Sequence, residues 1–142
     1  MPPVHRRRAR EVALQALYLL DLHPDQGAAF VSRFLDGRLA GKGLVAFAQS
    51  LVDGVTARRD ALDRALDAAA DRWRVARMAA TDRAVLRLAA HEILHTDVPA
   101  PVAIDEAIEL ARRYGSADSP RFVAGILGRL HADHTGVGTA SG

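Results

Sequence analysis

Two clusters in this 142-residue chain combine residue types and spacing that could do chemistry. The first is His91-Glu92-Ile93-Leu94-His95. In that H-E-x-x-H spacing, two imidazoles one helical turn apart can share a zinc ion while the carboxylate acts as general base. The second is His5-Arg6-Arg7-Arg8-Ala9-Arg10, with four arginines in five residues. A run that dense suits a polyanion, because phosphates neutralise it and release counterions.

The context of the histidine pair argues against zinc catalysis. A catalytic site needs a third protein ligand, and no matching motif follows. Hydrolases of this type also present substrate along a sheet edge, and no segment here alternates with the two-residue period of a strand. The plainer expectation leaves His91 and His95 partly exposed beside Leu88, with Glu92 paired to an arginine. Stoichiometric zinc, and activity lost in His95→Ala, would favour the enzyme. There is no Gly-rich phosphate loop, no G-x-S-x-G and no local acid–base pair. The expectation is a chain with no catalytic residues, bound metal or cofactor.

The arginine cluster stands at the start of a helix pattern. Like charges oppose helix formation there, and so does the positive end of the helix dipole; an anion relieves both. Basic arms of this kind often order only on binding RNA. The net charge is only +2, but Lys42 is the sole lysine, so the positive charge is almost all arginine. Guanidinium offers a planar fork for phosphate and stacks on bases.

The elements that must hold these residues read as helices. Alanine and leucine abound and aromatics are few. From His5 to Leu22 the buried face is Ala9, Val12, Ala13, Ala16, Leu17 and Leu20, while Arg7, Leu14 and Tyr18 fall on the far side. A short helix spans Ala28 to Leu39. A long one, Leu44 to Ala70, would reach about 40 Å, with Gly54 marking a bend or close crossing. The Arg-rich stretch Asp71 to Met78 holds the lone tryptophan, Trp73, whose expected place is a core edge. The helix opening at Thr81 and Asp82 is apolar around most of its circumference and should be central.

The stretch from Asp97 to Leu130 is the most punctuated. Pro99 and Pro101 set a helix start at about Pro101. Gly115 would stop that helix as a left-handed cap, and Ser119 would cap the next, with Pro120 at its first position. Residues 1–132 are expected to form one domain with a basic arm, and 133–142 a flexible tail. The apolar runs are too short to cross a membrane, and the absence of cysteine fits a reducing cytoplasm. The fold class expected is all-α, with six or seven helices.

Three blocks in order, HRRRAREVALQALYLLDL, DRAVLRLAAHEIL followed by DVP, and VAIDEAIELARRYGSADSPRFVAGIL, resemble the NusB family of bacterial transcription antitermination factors. The chain departs from the family pattern at Asp105 and Ala124, where the family has Asn. The resemblance implies a pair of three-helix bundles sharing a core. It also implies binding to boxA-type single-stranded RNA of nascent ribosomal RNA transcripts, with the ribosomal protein NusE, in an RNA polymerase antitermination complex. Carried over by motif, the RNA contacts fall on Arg6, Arg7, Arg10, Arg113, Asp118 and Phe122. A NusE surface falls near Asp82. Some relatives form homodimers, for which Leu14 and Tyr18 are the candidates. Related domains also precede RNA methyltransferases, which leaves an accessory RNA-binding module as an alternative; no cofactor-binding domain is seen here.

Overall fold

The computed structural model describes residues 3–136, with side chains from His5 onward. Among the described residues there are seven α-helices, one 3-10 turn and no strand, so the all-α expectation holds. No described helix is long and apolar enough to cross a membrane. The chain divides into two compact units, the first ending at Ala57 and the second starting at Arg58.

The first unit is a three-helix bundle of α1 (Pro3–Leu22), α2 (Ala28–Arg38) and α3 (Lys42–Ala57), each packed on the other two. Helix α1 is its core element. Ala9, Val12, Ala13, Ala16 and Leu17 are buried as their spacing dictates. Leu14 is buried too, at 2% exposure, so it does not face outward as the helical period suggested. A helix enclosed on several sides has no free far face, and only Tyr18 of that pair stays half-exposed.

The expected helix from Leu44 to Ala70 is interrupted. Arg58 leaves the helical region at φ −113° and ψ 15°, and α4 (Arg59–Ala70) starts after it. Every residue from Thr56 to Ala61 is exposed, so no packing carries one helix across that gap in the apolar stripe. Asp60 in the first turn of α4 supports the new N-terminus. Gly54 lies buried inside α3 and marks no break.

The second unit holds α4, the turn Val75–Arg77, α5 (Ala80–His95), α6 (Ala100–Tyr114) and α7 (Ser119–Thr135), one helix more than the three the resemblance implied. Helix α5 packs against α4, α6 and α7. All ten residues from Ala84 to Ile93 are buried, as its nearly all-round apolar pattern requires. That burial includes Arg87, which grips Asp63 of α4 through two 2.8 Å bonds, one from Nε and one from Nη2.

Helix α7 runs to Thr135 and closes at left-handed Gly136, reaching into the stretch expected to be a tail. The apolar stripe ends at Leu130, but the polar last turns have local support. Arg129 pairs with Asp133 at 3.3 Å, and the Thr135 hydroxyl donates to the His131 carbonyl. Residues 137–142, the rest of that tail, lie outside the described residues.

Candidate nucleic-acid interface

In the first unit the arginine cluster divides by burial. Arg6, Arg7 and Arg8 are exposed on the early turns of α1, which has no acidic residue in its first turn. Arg8 is engaged locally, donating to Glu11 at 3.1 Å. Arg10 differs from the expected solvent-facing phosphate contact, because it is only 4% exposed. Its guanidinium lies 5.3 Å from the centroid of the Phe47 ring, and that of Arg6 lies 5.4 Å from the same centroid. Helical geometry accounts for this: residues 6 and 10 are one turn apart and meet the same side of α3. Phe47 thus braces one exposed and one buried cation, each attracted to the ring's negative face.

In the second unit the joint between α6 and α7 holds the other candidates. Arg113 and Asp118 are exposed, and Phe122 is half-buried. Arg112 bonds Glu109, and the Arg113 guanidinium lies 5.7 Å from the Tyr114 ring centroid. The helix starts a residue earlier than the serine reading required. Asp118 occupies the N-cap position without a side-chain cap bond, and Ser119 is inside α7. The Ser119 hydroxyl turns back instead and accepts the Ser116 amide hydrogen at 2.9 Å. Gly115 is not left-handed: its φ is −96° and its ψ −165°, an extended backbone open to any residue. Space explains the glycine. A β-carbon there would lie 2.5 Å from Ser119 Oγ and 2.8 Å from the Ala111 carbonyl oxygen.

Trp73 does not fill a core edge. It is 55% exposed and meets Phe122 edge to face, with 6.1 Å between ring centroids and 88° between planes. The apolar period stops at Ala70, and Trp73 stands between Arg72 and Arg74; that flanking was the signal for an outward indole. Asp82, in the first turn of α5, is half-buried, and one of its carboxylate oxygens is buried without a hydrogen-bond partner.

The H-E-x-x-H residues are not arranged for catalysis. Glu92 is 2% exposed, and His91 is buried rather than partly exposed. Burial, followed by the charges of Arg58 and His95, holds His91 below its ordinary pKa. The His91 and His95 rings stack at 6.0 Å, as a one-turn spacing permits. Among the described residues no group of three or more His, Asp or Glu side chains is placed to hold a metal.

Comparison with known proteins bears on the family and the fold. The model of the NusB family matches residues 7–132. The transcription antitermination protein NusB of Anaeromyxobacter dehalogenans is 46% identical over 126 residues, covering 88% of this chain and 89% of its own. That of Symbiobacterium thermophilum is 47% identical over 134 residues, covering 88% of each. Among solved structures, T. maritima NusB superposes with a TM-score of 0.82 at 33% identity, over 94% of this chain and 93% of its own. A chain from the crystal structure of the antitermination factors NusB and NusE with double-stranded RNA gives 0.83 over 93% of this chain and 99% of its own. At 20% identity that likeness is one of fold.

Proposed function

Because the chain belongs to the NusB family, we propose that it is a non-enzymatic transcription antitermination factor. Its target is boxA-type single-stranded RNA of nascent ribosomal transcripts, bound together with the ribosomal protein NusE in the cytoplasm. The bound pair serves an RNA polymerase antitermination complex. The observation that carries the RNA-binding part is the group of exposed arginines on the early turns of α1. Their positive charge adds to that of the helix end, and phosphate is the counter-charge that relieves it.

The roles divide by chemistry. Arg6 and Arg7 take phosphates. Arg10 acts from beneath, sharing the Phe47 ring with Arg6 and so limiting where that arm can go. On the second unit Arg113 adds a further phosphate contact. Asp118 repels phosphate but accepts from a base amine, so it tunes specificity. Phe122 stacks on an unpaired base. Asp82 marks the side of α5 offered to NusE, and Tyr18 stays the candidate for a homodimer contact.

The test is titration of a boxA-type RNA with and without NusE at several salt concentrations. Binding is expected to be weak alone, tighter with NusE and markedly weaker as salt rises. An Arg6→Ala/Arg7→Ala variant that folds normally and keeps its affinity would reject the arm as the RNA site.

A further inference from the structure

Resting on that RNA-binding reading, we propose that the second unit carries an additional single-stranded RNA contact on the 71–74 loop. There Trp73 stacks on a base while Arg64, Arg72 and Arg74 hold the flanking phosphates. These residues line one groove of about 380 Å³.

Three features support it. The first is the cost of the arrangement without a ligand. Trp73 leaves most of a large apolar side chain in water, although burying such a ring is strongly favourable. The second is rigidity. Asp67 of α4 accepts the Val75 amide hydrogen at 2.8 Å. From the other side Arg83 of α5 donates to the carbonyls of Met78, at 3.0 Å, and of Val75 and Ala76, both at 3.4 Å. Asp71 ends α4 at a positive φ of 61° with ψ −79°, and turns the chain outward. The loop is therefore fixed where it leaves, at Val75, and the Trp73 amide donates back to the Ala70 carbonyl at 3.4 Å; a ring held near its binding position loses less entropy when a base stacks on it.

The third is charge and continuity. Asp67 and Asp71 share the groove with the three arginines, so cations outnumber anions. Asp67 is committed to the Val75 amide and lies 3.7 Å from Arg74. The edge of this platform meets Phe122, so an RNA strand stacked on Phe122 has a second ring in direct contact with the first. An aromatic face ringed by guanidinium is the sequence-tolerant way to hold single strands. The groove would thus lengthen the bound segment rather than add base-specific readout.

Trp73 is the only tryptophan, so its fluorescence reports on this loop alone. Full-length protein is titrated with fluorophore-labelled boxA-type RNA and, separately, with an oligouridine, while anisotropy and indole emission are followed together. The expected result is quenching that tracks binding. Trp73→Ala is expected to weaken RNA affinity by about five- to a hundredfold, and Trp73→Phe to restore most of it. Arg72→Ala/Arg74→Ala should lower the salt dependence by about 1.4 in log–log slope. The exposed side chains make folding of these variants the expectation, with circular dichroism as the check. RNA that binds without changing indole emission, with Trp73→Ala at wild-type affinity, overturns this contact and leaves the Arg6–Arg7 site standing. Quenching by NusE alone, with no RNA effect, makes the groove a protein surface and also overturns it. Failure to bind RNA even with NusE present removes the underlying reading and this one with it.

Discussion

The Ser119 hydroxyl occupies the volume that a β-carbon on Gly115 would need, 2.5 Å from where that carbon would lie. The same oxygen receives the Ser116 amide hydrogen. The α6–α7 joint, which carries Arg113 and Asp118, is thus closed by a side chain seated against a bare backbone. Gly115→Ala should cost about 1–3 kcal/mol by overpacking, and should reduce RNA affinity by shifting the joint. Gly115→Asn is expected to do no better, although Asn tolerates a left-handed backbone, because crowding and not φ is the constraint. Thermal unfolding of both variants checks this; rescue by Asn would refute the steric account.

Arg6 and Arg10 should separate in experiment despite their common motif. Arg6→Ala/Arg7→Ala is expected to lower the slope of log affinity against log salt by about 1.4, two contacts at ~0.7 each, with no more than about 1 kcal/mol of stability lost from the exposed Arg6–Phe47 contact. Arg10→Ala should instead lower stability by about 0.5–2 kcal/mol, since its buried stem packs and its charge sits over Phe47. Denaturant unfolding alongside RNA titration distinguishes the two patterns.

Arg87 and Asp63 tie α5 to α4 through the two-bonded fork already described. Asp63→Ala takes this carboxylate away from a buried guanidinium and should cost about 2–3 kcal/mol. The Asp63 side chain is 25% exposed, which keeps the loss below that of a fully enclosed pair. A urea midpoint unchanged by the substitution would show the bond to be energetically idle.

His91 should make stability depend on pH. Its folded-state pKa is lowered from the ordinary 6.5, first by burial and then by Arg58 and His95. Above that value both folded and unfolded chains hold it neutral, and its full contribution is present. As pH falls through 6.5 the unfolded chain takes up a proton that the folded chain refuses, so stability declines until His91 itself titrates. The melting temperature is expected to drop between pH 7 and 5, and His91→Leu to flatten that slope. An identical slope in the variant would exclude His91 as the cause.

Much of this protein was legible in its one-dimensional pattern. The helical periods of α1, α5, α6 and α7 place Ala9, Val12, Val85, Leu88, Ala107 and Leu127 in the core, where they are found. Hydrophobic spacing reports directly on which residues share a face. The family blocks likewise identified the chain, since they depend on residue order alone. Side-chain fate at crowded or unusual points was decided only by tertiary packing. Leu14 is covered although the helical period turns it away from the main stripe, and Arg10 is drawn over Phe47 while Arg7, three residues earlier, stays in solvent. Trp73 is thrust outward by a loop anchored at Asp67 and Arg83. Each outcome depends on neighbours distant in sequence. Local propensity and periodicity contain no term for them, whereas burial and close contact are properties of the folded ensemble of side chains.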